Sequence, residues 1–337
     1  MRYRLKRLDR QVVVITGASS GIGLITAKRA AAAGAAVVLV ARDEPILARV
    51  TREIEASGGN AVYAVADVGD PVAMRAVAEL AVQHFGRIDS WVNNAGVAIY
   101  ATLSETPLGE HERLFRTNYF GVVNGVQAAL PYLTQSGGAL ITVGSIASDL
   151  PSPLMGAYAA SKHAVKGYIN SLRIEVVTAE VPVSVTLIKP AGIDTPIGQH
   201  AANHEAHEAL VPPPIYDPEL VAAAILHAAQ YPRREITVGG VGRLNVLMGV
   251  HFPAALEYLA RFLIPLLTDR TRPPTPQNSL FVPSNDGRIR SAIQKGRRFS
   301  LYTWAARHRL ATAMVVAGLT GAGALIAARQ RSKRRAA

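Results

Sequence analysis

Seven short runs of apolar, mostly β-branched residues alternate with longer segments of helical character between residues 11 and 240. Parallel strands need a crossover connection, usually a helix, and near-continuous apolar runs are typical of strands buried on both faces. The pattern therefore predicts an α/β fold with a doubly wound, seven-stranded parallel sheet and helices on both faces. The predicted strands are Val12–Thr16, Ala36–Ala41, Ala61–Ala66, Ile88–Asn93, Ala139–Val143, Val183–Ile188 and Glu235–Val238, and the clearest helices are Gly21–Ala33, Pro71–Phe85, Glu110–Thr134 and Ala157–Ala179.

A glycine-rich loop follows the first predicted strand, with the sequence Thr16-Gly17-Ala18-Ser19-Ser20-Gly21-Ile22-Gly23. Between a strand and a helix, such a loop lets backbone N–H groups and the positive end of the helix approach a pyrophosphate. Taken alone, the loop is also consistent with a tight turn that binds nothing. Its place directly after the first strand of an alternating chain favours dinucleotide binding.

The loop has the spacing TGxxxGxG, and further motifs follow it in order within residues 9–245. They are Asp67-Val68, Asn93-Asn94-Ala95-Gly96, Asn118, Ser145, Tyr158-x-x-x-Lys162 and Pro190-Ala191-Gly192-Ile193-Asp194-Thr195. With these motifs the chain resembles the short-chain dehydrogenases/reductases of the single-domain type. The resemblance implies a Rossmann-like fold, a nicotinamide cofactor and hydride transfer between that cofactor and a carbonyl or alcohol substrate.

The same resemblance implies the residues of the site. It assigns Asp67 to the adenine ring, Asn93–Gly96 to the adenine side of the cleft and Pro190–Thr195 to the nicotinamide, with Ala191 where the family usually has glycine. The implied catalytic tetrad is Asn118, Ser145, Tyr158 and Lys162. The implied cofactor-binding residues are Gly17, Ser19, Ser20, Gly21, Ile22, Gly23, Asp67, Val68, Asn94, Ala95, Gly96, Tyr158, Lys162, Pro190, Gly192, Ile193 and Thr195.

Elementary electrostatics agrees with the implied tetrad. Tyr158 and Lys162 are four residues apart in a helical segment, so they lie on one face. A tyrosine hydroxyl has an ordinary pKa of about 10, and a cation about 5 Å away stabilises the phenolate by roughly 3 kcal/mol at an effective dielectric of about 20. We therefore expect Lys162 to lower the pKa of Tyr158, the proton donor and acceptor. Ser145 is expected to hold the substrate oxygen, and Asn118 a water that links Lys162 to solvent.

The end of the second predicted strand bears on the choice of cofactor. An acidic residue there would bind the ribose hydroxyls and repel a 2′-phosphate. The strand instead ends Val40-Ala41-Arg42, with Ala41 where NAD-preferring members of the family carry aspartate. Arg42 is placed to pair with the 2′-phosphate, although it could also be a solvated charge offset by Asp43 and Glu44. We expect NADP(H), with NAD(H) as the alternative.

Two segments are expected to form the substrate side of the site. Asp149, Pro151, Leu154 and Met155 lie between Ser145 and Tyr158, where family members line the substrate pocket, and their mostly apolar character indicates a hydrophobic substrate. Residues 198–216 correspond to the family's variable lid. The lid contains His200, His204, Glu205, His207 and Glu208, whose spacing could bring metal ligands to one helical face. A solvated lid helix is favoured over a metal site.

The positive charge of the chain is concentrated at its C-terminal end. Residues 270–337 hold 14 of the 36 Lys and Arg residues but only one of the 24 acidic residues, Asp286. Residues 310–328 are uncharged and near the minimum length for a membrane span, and a basic tail follows them. His251–Thr268 is a second apolar helix that could contact a membrane. We therefore divide the chain into a catalytic domain (1–250), a helix and basic linker or arm (251–309), a possible membrane anchor (310–328) and a basic tail (329–337).

The leading hypothesis is an NADP(H)-dependent oxidoreductase acting on a small carbonyl or alcohol. We expect a cytoplasmic homodimer or homotetramer, assembled through the helices near 110–134 and 157–179 and attached to a membrane by its C-terminal segment. No nucleic acid is expected, because no recognition module accompanies the basic tail. The chain has no cysteine, which excludes disulfides and Cys-based sites. One alternative is a non-catalytic NADP(H)-binding regulator or membrane-bound scaffold. Another is a sugar-nucleotide epimerase or dehydratase, whose usual TGxxGxxG loop and sugar-binding domain are not seen.

Overall fold

The computed structural model describes residues 4–276, 278–308 and 312. Its central sheet has seven strands, all paired in parallel, in the spatial order β7-β6-β5-β4-β1-β2-β3. The strands are β1 Val12–Thr16, β2 Ala36–Ala41, β3 Asn60–Val65, β4 Ser90–Asn93, β5 Ala139–Val143, β6 Ser184–Pro190 and β7 Glu235–Val238. The predicted doubly wound, seven-stranded parallel sheet is confirmed, with strand ends shifted by one or two residues.

Helices cover both faces of the sheet. One buried apolar cluster joins the sheet to α1, α2 and α7, and a second joins it to α3, α5 and α6. The helices are α1 Gly21–Ala32, α2 Glu44–Ala56, α3 Pro71–Phe85, α4 Leu108–Phe115, α5 Gly121–Ser136, α6 Gly156–Thr178, α7 Pro218–Ala228, α8 Gly240–His251, α9 Pro253–Leu263 and α10 Leu301–Arg307, with short 3-10 turns at Leu8–Arg10, Ile146–Ser148 and Ile264–Leu266.

Three of the helices that connect the parallel strands begin with the same capping arrangement. Asp70 precedes α3 and accepts hydrogen bonds from the backbone N–H groups of Val72 and Ala73. Asp43 and Asp217 cap α2 and α7 in the same way. In each case a proline stands at one of the first two helical positions, where its missing N–H costs nothing. Local sequence therefore fixes where these helices start.

The helix predicted over Glu110–Thr134 is not continuous. A π turn over Arg116–Phe120 separates α4 from α5, and π turns inside helices often occur at functional positions. Asn118 lies in this turn, and its side-chain amide bonds both the N–H and the carbonyl of Val97. These two bonds to another segment hold Asn118 where a regular helix would not place it.

Two further helix predictions are wrong in detail. Residues 198–216 do not form a lid helix, because their backbone pairs with other segments in two-residue strands. These pairs are Ala202–Asn203 with Ile99–Tyr100, Glu208–Ala209 with Thr268–Asp269, and Ile215–Tyr216 with Gly192–Ile193. The apolar helix predicted over His251–Thr268 is shorter in the structure: α9 begins at Pro253, after α8 has ended at His251, and it ends at Leu263, where the 3-10 turn Ile264–Leu266 follows.

The predicted anchor over residues 310–328 lies outside the described residues, except for residue 312. Among the helices that the structure describes, none combines the length and apolar character that crossing a membrane requires.

The strand order places a crevice at one edge of the sheet. From β1 the chain continues outward to β2 and β3, and from β4 it continues outward in the opposite direction to β5, β6 and β7. Ligands of open α/β sheets bind at such a switch point, outside the carboxyl ends of the strands. The carboxyl ends of β1, β2, β4, β5 and β6 lead into the segments that carry the predicted motifs. The topology thus gathers distant parts of the sequence into one place.

Candidate active site

A cleft lies at this edge of the sheet, and most of the predicted site residues line it. Of the predicted catalytic residues, Ser145, Tyr158 and Lys162 line the cleft, and Asn118 lies behind it. Of the predicted cofactor residues, only Gly23 does not line it. Those that do are Gly17, Ser19, Ser20, Gly21, Ile22, Arg42, Asp67, Val68, Asn94, Ala95, Gly96, Tyr158, Lys162, Pro190, Gly192, Ile193 and Thr195.

The glycine loop is packed too closely for side chains. Gly17 has a φ of +67°, and a Cβ there would lie 2.8 Å from the Cα of Ala95. Gly23 lies under the loop, where a Cβ would lie 2.0 Å from the carbonyl oxygen of Gly17. Asn94 locks the loop to the segment after β4, because its side-chain amide donates to the carbonyl of Thr16 at 2.9 Å. This bare backbone at the start of α1 fits a pyrophosphate, and the cleft therefore fits a nicotinamide dinucleotide.

Tyr158 and Ser145 meet in the middle of the cleft. Ser145 follows β5 and caps the short helical turn Ile146–Ser148, accepting a hydrogen bond from the N–H of Ala147. Burial raises the pKa of the Tyr158 hydroxyl, and a hydrogen bond with the Ser145 side chain only partly offsets this. The downward shift expected from Lys162 is therefore wrong, because desolvation of the phenolate is the largest effect on this pKa.

Lys162 lies one helical turn from Tyr158, as the spacing predicted. Its Nζ is 5.6 Å from the centre of the Tyr158 ring and donates to the carbonyl of Val143 at 3.0 Å. The residue is only 4% exposed, and burial lowers the pKa of its ammonium group to about 8. Lys162 is thus fixed between the end of β5 and the cleft, within reach of both Tyr158 and a bound ligand.

Asn118 is held away from the cleft surface. Its Oδ1 accepts from the N–H of Val97, and its Nδ2 donates to the carbonyl of Val97 and to the hydroxyl of Ser161. Gly96 separates it from the cleft: a Cβ on Gly96 would lie 3.4 Å from Asn118 Oδ1 and 3.8 Å from Lys162 Nζ. The water that Asn118 was expected to hold stays a prediction.

Arg42 and Asp67 line the end of the cleft where we expect the adenosine, and Arg113 bonds Asp67 there. Arg113 donates to the Oδ2 of Asp67 at 2.6 Å, and the N–H of Gly69 donates to the other carboxylate oxygen. Arg42 does not point freely into solvent, because it donates to three backbone carbonyls of residues 279–281. Arg113 lies on α4, five residues before Asn118, and no motif includes it, so the sequence did not indicate that it belongs to this site.

The sequence also did not indicate that the segment after residue 278 would line the cleft. Ser279, Pro283 and Ser284 line the cleft together with the motif residues, and so does His200 from the lid. His200 bonds Asp286 at 2.7 Å, and His204 bonds Glu110 at 2.8 Å. The two histidines thus serve to join segments of the protein to one another.

The substrate side of the cleft is mostly apolar, as expected, but its residues differ from those expected. Met155 lines it, whereas Asp149, Pro151 and Leu154 do not. Asp149 instead forms ion pairs with Lys166 and Lys189 under the short helix that begins at Ser145. The other apolar residues that line this side are Ala98, Tyr100, Ile146, Ala147, Ile197, Val211 and Pro212.

The sequence is similar to those of known oxidoreductases over most of its length. The sequence model of the family described as short chain dehydrogenase matches residues 11–206. The uncharacterised oxidoreductase YxnA of Bacillus subtilis (strain 168) is 39% identical over 324 residues, which cover 94% of this chain and 91% of that protein. Because 94% of this chain is covered, this second match runs well past residue 206 into the C-terminal region.

Solved structures agree with the sequence matches. A short chain dehydrogenase/reductase from Burkholderia phymatum in complex with NAD has a TM-score of 0.65 at 26% identity, covering 77% of this chain and 97% of that chain. An alcohol dehydrogenase from the archaeon Thermococcus sibiricus, complexed with 5-hydroxy-NADP, has a TM-score of 0.60 at 26% identity, covering 68% of this chain and 95% of that chain.

A dinucleotide cleft with a partly buried phenol, a buried serine hydroxyl and a buried ammonium at its centre defines the class of protein: a nicotinamide-dependent oxidoreductase. The matched residues, 11–206, include the glycine loop, Ser145, Tyr158 and Lys162. The chain belongs to the short chain dehydrogenase family. It is therefore an enzyme of the kind that acts on CH–OH and C=O groups.

Proposed function

We propose that the protein uses NADP(H) to interconvert a hydrophobic carbonyl compound and its alcohol, with Tyr158 as the proton donor and acceptor. The observation that carries this proposal is the contact between Tyr158 and Ser145 beside the buried Lys162, at the centre of a cleft with an apolar substrate side. These groups stand where a substrate oxygen would meet both a proton donor and a second hydrogen-bonding hydroxyl.

The residues divide the chemistry among them. A bound NADPH would supply the hydride. Ser145 hydrogen-bonds the carbonyl oxygen and aims it at Tyr158, which gives the oxygen a proton as negative charge develops there. The raised pKa of Tyr158 keeps it protonated at neutral pH, which is the form that reduction needs. Lys162 stabilises the phenolate that remains, and Asn118 supports the route by which the proton is replaced.

The NADP(H) preference is proposed from the end of β2. Ala41 offers no carboxylate to a ribose hydroxyl, and Arg42 lines the cleft beside it. Asp67, whose charge acts on Arg42, is already paired with Arg113, so the charge of Arg42 is only partly offset and is available to an anion. The Burkholderia phymatum structure holds NAD and the Thermococcus sibiricus structure holds 5-hydroxy-NADP, so similar folds accommodate both NAD and an NADP derivative.

Replacing Arg42 with alanine tests the preference. Hydrogen bonds to a charged group contribute about 1.5–3 kcal/mol, so the Kd for NADPH should rise roughly ten- to a hundred-fold, while the Kd for NADH stays near the wild-type value. Fluorescence titration of both cofactors measures this. Arg52→Ala, an exposed charge on α2, is the matched control. An unchanged ratio of the two dissociation constants in Arg42→Ala would refute the NADP(H) preference.

The activity itself is tested by following NADPH and NADH consumption with a panel of aldehydes and ketones that includes long-chain and cyclic compounds. We expect turnover to increase with the apolar surface of the substrate, because the substrate side of the cleft presents mainly apolar side chains. The alternative of a non-catalytic NADP(H)-binding regulator predicts tight NADPH binding without turnover of any compound on the panel.

We also propose contact with an anionic membrane. The support is an exposed apolar surface on α8, α9 and α10, in which Phe252, Tyr258 and Phe262 are each 59–60% exposed. Arg261 lies over the rings of Tyr258 and Phe262 at 3.8 and 4.6 Å, an arrangement suited to a headgroup boundary. Flotation of the full chain with phosphatidylglycerol vesicles, compared with Phe262→Asp, tests this proposal. Equal recovery of both proteins would remove it.

The expected homodimer or homotetramer stays a prediction. Helices α5 and α6 are the proposed interface, and α6 exposes Ile174 and Val177. Analytical ultracentrifugation of the purified chain tests this assembly, and a monomer at micromolar concentration would contradict it.

A further inference from the structure

A segment from the far end of the chain crosses the cofactor cleft. We call residues 278–290 the cofactor arm. Three of its residues, Ser279, Pro283 and Ser284, line the cleft beside the glycine loop and Arg42. At its far end the carbonyl of Arg288 accepts a hydrogen bond of 2.8 Å from the N–H of Gly21, at the first residue of α1. The arm therefore spans the cleft from the adenosine end to the start of α1.

The cofactor arm is built into the protein at several points. Leu280 is 0% exposed and packs in an apolar cluster with Val97, Ile99 and Leu114, among others. Ser279 donates through both its backbone N–H and its hydroxyl to the carbonyl of His200. A buried apolar anchor of this kind fixes the backbone on either side of it, so the carbonyls of residues 279–281 have defined positions.

Charged contacts at Asp286 form a second anchor for the cofactor arm. Asp286 bonds His200 Nε2 and the guanidinium of Arg288, each at 2.7 Å. Burial would raise the pKa of Asp286, but the hydrogen bonds from His200 and from the backbone of Arg288 outweigh it and lower the pKa to about 2. The carboxylate is thus ionised at neutral pH, and its charge is offset within the arm and lid.

The carbonyls of the cofactor arm converge on Arg42. Its Nη1 donates to the carbonyls of Leu280 and Phe281 at 3.2 and 3.1 Å, and its Nη2 donates to that of Ser279. Arg113 donates to the same carbonyl of Leu280 at 3.0 Å. A guanidinium has five N–H donors, so Arg42 keeps two after these three contacts. Carbonyls orient the group without cancelling its charge, and two donors suffice for a bidentate phosphate contact.

We infer that the cofactor arm is a specificity-determining part of the cofactor site, because its carbonyls hold Arg42 ready for the 2′-phosphate of NADP(H). This inference rests on the proposed NADP(H) preference and extends it to residues at the other end of the chain. Arg113 is a second positioning residue, since its ion pair with Asp67 keeps that carboxylate engaged at 2.6 Å. A freely rotating Arg42 would lose side-chain entropy on binding, and pre-organisation removes that cost.

The experiment compares adenosine 2′,5′-bisphosphate with adenosine 5′-monophosphate, which differ only in the 2′-phosphate and need no turnover. Calorimetry measures both dissociation constants for the full chain and for four variants. Leu280→Ala removes the buried apolar anchor, and Asp286→Ala removes the charged contacts with His200 and Arg288. Phe281→Ala is the matched control on the same arm, because its side chain is 58% exposed and its carbonyl is kept. Arg42→Ala reports the contribution of the guanidinium itself.

We expect Leu280→Ala and Asp286→Ala to weaken binding of the bisphosphate about ten-fold, with the monophosphate and the Phe281→Ala control unchanged. A general loss of structure would instead weaken both ligands equally, and that result would overturn the inference. Unchanged affinity, or tighter binding that marks the arm as an obstruction, would also overturn it. If Leu280→Ala does not fold, Asp286→Ala decides, since that side chain is 22% exposed.

The two proposals fail in different ways. If Arg42→Ala binds the bisphosphate as tightly as the wild type does, the NADP(H) preference fails and the inference fails with it. If Arg42→Ala weakens the bisphosphate but neither arm variant does, only the role of the cofactor arm fails. The enzymatic reduction of carbonyl compounds is measured separately, by substrate turnover.

Discussion

Replacing Tyr158 with phenylalanine is expected to reduce kcat about a thousand-fold, within the range that a positioned proton donor contributes. The change removes one oxygen and leaves the ring, which packs against the apolar cluster of Ala98, Tyr100, Ala201 and Ala209. Ser145 would still hold the substrate oxygen and Lys162 would still lie under the cleft. The variant lacks the hydroxyl proton, and it therefore cannot protonate the developing alkoxide.

The measurement separates chemistry from binding. Steady-state turnover of the best substrate gives kcat, and fluorescence titration gives the Kd for NADPH, which we expect to change little. Tyr168→Phe is the matched control, because Tyr168 lies on the same helix ten residues further on and contacts Tyr119 outside the cleft. Wild-type turnover by Tyr158→Phe would contradict the assigned role, as would an equal loss in the control.

The parts of the site that were predictable are those encoded by short spacings. Tyr158 and Lys162 belong to one helix, and the glycine loop directly follows β1. The strands were predictable because each is an apolar run that is buried in the sheet. In all these cases a pattern of fewer than about ten residues carries the information, as expected for local propensity and periodicity.

The parts that were not predictable depend on long-range contacts. Arg42 and Leu280 are 238 residues apart in sequence, and the Pro- and Arg-rich stretch that brings them together has no periodicity. The apolar side chain that anchors this stretch, Leu280, looks like any other leucine. Tertiary contacts of this kind decide the partners of a side chain but leave no mark on its neighbours in the sequence.

The pKa of Tyr158 likewise depends partly on a local sequence spacing and partly on long-range packing. The spacing correctly placed Lys162 next to it, at 5.6 Å from the ring. The direction of the shift depends on burial, and Tyr158 packs against Ala98 and Tyr100 and against Ala201 and Ala209 of the lid. One neighbouring charge therefore predicts the partner correctly and the direction of the pKa shift incorrectly.

Removing the carboxylate of Asp149 is expected to have the largest effect on stability. Asp149 lies at the end of the short helix that Ser145 begins, and its side chain, 5% exposed, bonds Lys166 and Lys189. Lys189 is 3% exposed and also bonds Glu235 at 2.5 Å. Asp149→Ala leaves one buried ammonium with a single partner, so we expect the free energy of unfolding to fall by about 3 kcal/mol.

Urea unfolding at several pH values measures this loss. Burial would raise the pKa of Asp149, but the hydrogen bonds from Lys166 and Lys189 outweigh it and lower the pKa. The folded-state pKa thus lies below the unfolded one, so the stabilisation is fully present above about pH 4 and is lost as the pH falls further. The difference between Asp149→Ala and the wild type should therefore shrink in acid.

Glu235→Gln is the matched control, because it removes a charge from the same network at a side chain that is 30% exposed. Glu235→Gln breaks one ion pair instead of two, and its amide oxygen can still accept a hydrogen bond from Lys189. Partly solvated pairs contribute about 0–1 kcal/mol, so this variant should lose much less stability. Asp149→Ala should also lower kcat, since the ion pairs hold the segment that presents Ser145 to Tyr158. A stability loss no larger than that of Glu235→Gln would show that Lys189 does not depend on Asp149, and that the segment carrying Ser145 is held by other contacts.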